Sequence, residues 1–205
     1  MNVISPITGK DNVKYIKSIE TKGIIEIYKK ILNSIDPTHL FNGIEEIKIF
    51  ECKETKYRFY WPFNLTGDDD YYAKLGLLDW YYKTWKIEYE FALKHISNGD
   101  KVLEVGAAKG DFIKKLKEDL GAQVVGLELN SKADEYSKLN GVPIYNVTIQ
   151  DYAKTHKDEF DVVCSFQVLE HISEVKSFLE AKVDCLKKGG KLIISVPNND
   201  SFIGG

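Results

Sequence analysis

Arginine is nearly absent from this chain: Arg58 stands alone among 28 basic residues, and the net charge is -3. A protein that follows a phosphate backbone needs clustered Lys and Arg, so nucleic acid is excluded as a bulk partner. Long apolar runs are also missing. No stretch reaches the roughly 18 to 20 residues that cross a bilayer, and MNVISPITGK lacks the apolar segment of a secretory signal. A cytoplasmic protein without a membrane partner is therefore expected. Cysteine is scarce and odd in number: Cys52, Cys164 and Cys185 lie far apart, two of them within apolar patterns, which fits buried thiols in a reducing compartment better than disulfides. Internal repeats and low-complexity segments are absent. What is present, 205 residues with 43% hydrophobic and 29% charged content, can bury a core of one domain or two small ones and rules out disorder.

From Gly99 onward, apolar runs alternate with helical patterns, the signature of a parallel sheet with crossover helices. Strands are expected at Lys101 to Val105, Val124 to Leu129, Ile144 to Ile149, Phe160 to Phe166 and Lys191 to Val196. Phe112, Ile113, Leu116 and Leu120 mark a helix that Gly121 ends, and Ser131 with Asp134 forms a capping-box-like pair before a helix closing at Asn140 and Gly141. Val175, Phe178, Leu179 and Leu186 mark another, which K187-K-G-G190 should stop.

The first half has a different texture. Residues 1–66 are expected to form a small α+β region, with an amphipathic helix over Ile24 to Ile35 and a hairpin of Ile47 to Cys52 and Tyr57 to Trp61. Residues 67–98 read as a helical connection that starts at Gly67 and three aspartates and carries Trp80, Tyr81, Tyr82, Trp85, Tyr89 and Phe91. Most of these rings suit a core, and those nearest the sheet could cover a ligand. Residues 99–205 complete the division.

In an open α/β sheet, ligands settle beyond the carboxyl ends of the strands, which directs attention to V102-L-E-V-G-A-A-K-G110. A dinucleotide site needs G-x-G-x-x-G so that a pyrophosphate can rest on helix amides. Here those positions are Gly106, Ala108 and Asp111, and the aspartate places negative charge where the pyrophosphate would sit. The chain instead carries Glu104, Gly106, Ala108 and Gly110, an E-x-G-x-A-x-G pattern, with Glu128 ending the second strand and Asp151 following the third. Taken singly, a strand-end acid or a turn glycine is usually structural, and Asp151 alone suits a helix cap. Their order along the sheet carries the functional reading.

Over roughly residues 99 to 198 that pattern resembles the class I S-adenosylmethionine-dependent methyltransferases. The resemblance implies a Rossmann-like, doubly wound, mainly parallel sheet and S-adenosylmethionine as cofactor. It further implies that Glu128 accepts the ribose hydroxyls, that Asp151 contacts the adenine amino group, and that Gly106 and Gly110 let the backbone approach the methionyl end. Glu104 and Ala108 belong to the same turn, and no metal is expected.

After the fourth strand, Ser165, Phe166, Gln167 and Val168 lack the prolines that hold a flipped base, and no aspartate cluster suits a metal-dependent catechol enzyme. L169-E-H-I172 resembles the L-E-H segment of small-molecule O- and C-methyltransferases. That likeness makes His171 a candidate base and Gln167 a candidate cofactor contact, with a packed histidine and a strand-end amide as the plain alternatives. I4-S-P-I-T-G9 and E51-C-K-E-T-K56 resemble the two halves of a zinc knuckle found in sugar-methylating relatives. The ligand positions are Ser5, Thr8, Cys52 and Thr55, too few sulfurs for a structural zinc, so a retained fold without metal is expected. The family sheet has seven strands and this sequence ends at V196-P-N-N-D-S-F-I-G-G205, which suggests a shortened chain with an exposed fifth strand. The expected function is methylation of a small molecule such as a sugar or glycan precursor; the rival is a non-catalytic module that binds S-adenosylmethionine or a nucleoside, and a nucleotide-dependent oxidoreductase ranks third. Oligomeric state is not encoded legibly.

Overall fold

The structure, a computed structural model, describes residues 2–31, 35–63, 65, 67–75, 78 and 85–198. The chain divides into two compact units, Met1–Lys83 and Thr84–Gly205, so the boundary falls inside the expected 67–98 connection.

The first unit is built on a three-stranded antiparallel sheet in the order β1 (Val13–Glu20), β2 (Glu46–Cys52), β3 (Arg58–Trp61). The hairpin β2–β3 was legible as two apolar runs around a turn. β1 was not: V13-K-Y-I-K-S-I-E20 mixes charges into both faces, and its pairing with β2 shifts register between Tyr15 and Lys17. Helix α1 (Thr21–Ile31) starts before Ile24, Ile35 is not helical, and Leu32 lies outside the described residues. Thr21 anchors its start by donating from Oγ1 to the carbonyl oxygen of Ile44 at 2.6 Å. In α2 (Asp69–Leu75), the Tyr71 amide donates to Asp68 Oδ1 at 2.8 Å, as the aspartate run before the helix suggested. Trp80, Tyr81 and Tyr82 lie outside the described residues.

The second unit opens with α3 (Ile87–Leu93) and continues through β4 (Lys101–Val105), α4 (Asp111–Leu120), β5 (Gln123–Leu127), α5 (Ala133–Asn140), β6 (Ile144–Tyr145), α6 (Ile149–Ala153), β7 (Phe160–Phe166), α7 (Val175–Asp184) and β8 (Leu186–Ser195). Its five strands are all parallel, in the order β6-β5-β4-β7-β8. This is the expected Rossmann-like α/β architecture, with β4 at the switch point. Alternation along each strand feeds two cores. Val102, Cys164 and Phe166 pack with Phe112, Ile113 and Leu116 of α4 and Tyr89 of α3, while Leu103, Phe160 and Val163 pack with Phe178 and Ala181 of α7. Each such large apolar side chain contributes about 1.5 to 3 kcal/mol by leaving water.

Four boundaries depart from expectation, each for a local reason. β5 stops at Leu127, so Glu128 follows the strand rather than ending it, although its amide still donates to Tyr145 O at 3.0 Å. β6 has two residues instead of six, because Thr148 and Asp151 make a reciprocal cap that starts α6: the Asp151 amide donates to Thr148 Oγ1 at 3.1 Å and that hydroxyl donates to Asp151 Oδ2 at 2.9 Å. The start of α5 is not capped by Ser131. Asn130 Oδ1 accepts from the Lys132 amide at 2.9 Å, and Lys132 takes the cap position without a side-chain bond. Helix α7 ends at Asp184, and Leu186 belongs to β8: Phe160 pairs with Leu186 and Val162 with Lys191, so K187-K-G-G190 is an irregular bulge inside the strand rather than a helix stop.

Candidate functional site

The turn between β4 and α4 is held in a conformation that few residues tolerate. Gly106 and Gly110 have φ of 79° and 80°, and Ala108 has φ of 47° despite its Cβ. A Cβ at Gly106 would meet Val168 Cγ2 at 2.5 Å, and one at Gly110 would meet Ile144 Cδ1 at 2.8 Å. These glycines thus let Val168 and Ile144 of the protein itself come close to the turn. Strain recurs at the end of β7, where Gln167 has φ of 57°. Left-handed non-glycine residues thus stand at the carboxyl ends of two neighbouring strands, as they also do at Asn42, Lys56 and Asp158 elsewhere.

Four amides of the turn already have acceptors within the protein. Gly106 and Ala107 both donate to Leu127 O, at 2.8 and 3.0 Å, and Gly110 donates to Ala107 O at 2.7 Å. Ala108 donates to Glu128 Oε2 at 2.8 Å, while the Asn130 amide donates to Oε1 of the same carboxylate at 2.9 Å. A pyrophosphate would find these donors spent and a carboxylate in its way, which is the geometric counterpart of the acid placed by Asp111.

Glu104, inside β4, is 2% exposed, and its Oε2 has no hydrogen-bond partner among the described residues. Burial holds its carboxyl well above the ordinary range; the positive charge of Lys86 opposes this, and the charges of Glu128 and Asp111 add to it. Tyr89 lies over this region, stacked on Phe112 at 4.7 Å and edge-on to Phe166 at 4.9 Å, and its hydroxyl is held up by burial and then by Glu104. Lys86, just before α3, also sits 5.7 Å from the centre of the Tyr89 ring. Of the aromatic residues expected near the sheet, Tyr89 belongs to the core and Phe91 is exposed.

Gln167 joins three elements: its side-chain amide donates to Ser195 Oγ at 3.1 Å and to Glu88 Oε1 at 3.3 Å, and its backbone amide donates to Ser195 O. The L-E-H segment forms a single 3-10 turn, Leu169–His171. His171 is half exposed, with Nε2 4.0 Å from Glu170 Oε1. Burial raises the Glu170 carboxyl, opposed by His171 and Lys86. Asp151 stands exposed at the start of α6, one oxygen held by Thr148 and the other by Lys154 Nζ at 2.6 Å. Among the described residues no cluster of His, Cys, Asp and Glu could hold a metal ion. A shallow cavity of about 520 Å³, lined by Lys157, Asp184 and Lys187 among others, lies by the amino ends of β7 and β8, away from the strand ends that carry these groups.

Sequence reasoning thus places Glu104, Gly106, Ala108, Gly110 and Glu128 in one constellation and Gln167 and His171 on the neighbouring strand end. It missed Lys86, Glu170, Asn130 and Asn146, and only Glu170, next to His171, carried a sequence signal. In the first unit, the four knuckle-like positions do converge. Thr8 Oγ1 lies 4.0 Å from Cys52 Sγ, and hydrogen bonds from Ser5 and then Thr55 bring the buried thiol down to about 6.

The family model of the methyltransferase domain matches residues 78–203. The chain belongs to this family. A ubiquinone biosynthesis O-methyltransferase of Thiobacillus denitrificans is 33% identical over 109 residues, covering 50% of this chain and 47% of that protein. One of Salmonella newport is 28% identical over 137 residues, covering 57% and 56%. The chain therefore spans about half the length of the curated relatives it matches. In fold, it is similar to an S-adenosylmethionine-dependent methyltransferase from Archaeoglobus fulgidus, with a TM-score of 0.50, 18% identity, and coverage of 56% of this chain and 52% of that one. S-adenosylmethionine is the cofactor of this methyltransferase domain, and the residues present fit it: a buried, unpartnered carboxyl oxygen calls for a donor, which the cofactor's ammonium is and a dinucleotide phosphate is not.

Proposed function

We propose that this domain catalyses methyl transfer from S-adenosylmethionine to a hydroxyl of a small molecule. The observation that carries the reading is Glu104: a buried carboxylate with an unpartnered oxygen, at the switch point of the sheet, beside a second acid that follows the adjacent strand. The cofactor supplies an already activated methyl electrophile on a sulfonium. The protein's part is placement and charge. Glu104 would hold the ammonium of the amino-acid end and Lys86 its carboxylate, so that a zwitterion is matched by an acid and a base. Glu128, oriented by two backbone amides, keeps lone pairs for the ribose hydroxyls, and Asp151 does the same for the adenine amino group after its bonds to Thr148 and Lys154. Gln167 holds the end of β7 against β8 and α3 while its strained backbone turns the L-E-H segment toward the acceptor. His171 takes the acceptor's proton, with Glu170 beside it to hold the imidazolium that results. Holding methyl and oxygen in line contributes an effective molarity of about 10⁵ M or more, so no strong nucleophile is required of the protein.

The hydroxyl assignment is supported by the names of the O-methyltransferase relatives; a sugar or glycan acceptor rests only on the resemblance of the turns around Cys52 to a zinc knuckle. Calorimetry with S-adenosylmethionine, S-adenosylhomocysteine and NAD tests the site: the first two should bind and NAD should not. Release of S-adenosylhomocysteine with a panel of phenols and sugar nucleotides then tests transfer. Binding without turnover on any acceptor would replace the enzyme with a cofactor-holding module, and binding of NAD alone would overturn the site itself.

A further inference from the structure

Beyond the groups that touch the cofactor in that reading, Asn146 occupies a position with no counterpart in it. β6 ends at Tyr145, so the ladder with β5 would stop there. The Asn146 side chain continues it. Its amide nitrogen Nδ2 donates to Glu128 O at 2.9 Å and to Asn130 O at 3.1 Å, gripping the β5–α5 connection on both sides of Leu129. Those two residues are the ones that matter for the neighbouring carboxylate: Glu128 carries it, and the Asn130 amide holds its Oε1. Leu129 between them is 65% exposed, so packing does little to hold the connection in place.

We infer that Asn146 is a positioning residue for the ribose end of the cofactor, acting through the backbone to aim the Glu128 carboxylate. The inference rests on the reading of Glu128 as the diol acceptor. Both donors of one amide are spent on two carbonyls two residues apart, a geometry that fixes the spacing of the loop rather than its burial. An exposed asparagine can be changed without emptying a core.

The test uses the full chain and two probes, S-adenosylhomocysteine and its 2′,3′-dideoxy analogue, and the quantity read is the ratio of their dissociation constants. In the wild type the diol compound binds more tightly. Glu128→Ala abolishes the preference. Asn146→Ala and Asn146→Asp reduce it about tenfold, the loss expected when two hydrogen bonds that orient a carboxylate disappear, with the thermal midpoint nearly unchanged; the aspartate removes both donors while keeping the shape. In Glu128→Ala/Asn146→Ala the preference is no lower than in Glu128→Ala alone. Equal weakening of both probes by Asn146→Ala, or an intact preference in Asn146→Asp, assigns Asn146 to general stability and overturns the inference. An intact preference in Glu128→Ala overturns the underlying reading of Glu128 instead, so the two failures are distinguishable.

Discussion

Lys182 is a lysine in a place built for an apolar side chain, and its cost can be worked out. It lies on α7, 0% exposed, and its ammonium donates to Ser165 Oγ of β7 at 2.6 Å, with the Phe178 ring centre at 5.3 Å. The other charged groups of these elements face elsewhere: Glu180 pairs with Lys176, Asp184 with Lys157 and Asp161 with Lys187. Burial brings the amine down from 10.5 to about 8, with the nearby Cys164 opposing. At about 1.4 kcal/mol per pH unit, holding the charged form inside costs the fold about 3 kcal/mol. The sign follows from proton counting. Between about pH 8 and 10.5 the unfolded chain binds a proton at this lysine that the folded chain has released, so stability rises with pH across that window, and the full penalty applies below it. Lys182→Met removes the penalty and leaves the Ser165 hydroxyl unpartnered, which returns about 1 to 3 kcal/mol. The variant should therefore be at least as stable as the wild type at pH 7, by up to about 2 kcal/mol, and Lys182→Met/Ser165→Ala should gain further. Urea midpoints at pH 7, 8 and 9.5 provide the check. The gap between wild type and Lys182→Met must narrow as pH rises. A gap that stays constant, or a variant clearly weaker at pH 7, would refute the account of a buried, poorly compensated charge.

Glu104→Gln should raise stability at pH 7 by about 1 to 3 kcal/mol, since an unsatisfied buried acid is replaced by a neutral isostere, and should weaken S-adenosylmethionine binding; calorimetry and melting of the same sample read both. Because burial raises the Glu104 carboxyl, wild-type stability should fall as pH rises above about 4.5, and a pH series on the variant should lack that slope. Gly106→Ala should cost about 2 to 4 kcal/mol, combining left-handed strain with a clash against Val168, and an unaffected melting temperature would show that the loop after β7 moves aside freely. His171→Ala should lower turnover while leaving cofactor affinity within about twofold of wild type; normal turnover would assign the imidazole to structure.

Much of the sheet could be read directly because its buried strands are continuous apolar runs. Lys101–Val105, between Asp100 and Gly106, and Phe160–Phe166, between Glu159 and Gln167, fall where expected. Acids inside or beside such runs stand out, which is why Glu104 and Glu128 were found. The misses share a cause. Asn146 and Lys86 act through partners 16 to 18 residues away in the chain, and β1 through pairs more than 25 residues away, and no local pattern encodes who will be opposite whom. Thr148 was hidden differently: its capping box with Asp151 lies inside V147-T-I-Q, which reads as a strand until the reciprocal bonds are seen. The bulge at Lys187 to Gly190 mimics a helix stop because both want glycine after a run of cations.

The turn after β4 spends its own amides before any visitor arrives. A phosphorylated metabolite such as ATP or NAD finds Gly106, Ala107, Ala108 and Gly110 with no N–H left to give. Selection against such anions would then begin with inventory already used up in the resting protein, without a gate, a clash or a slow rearrangement.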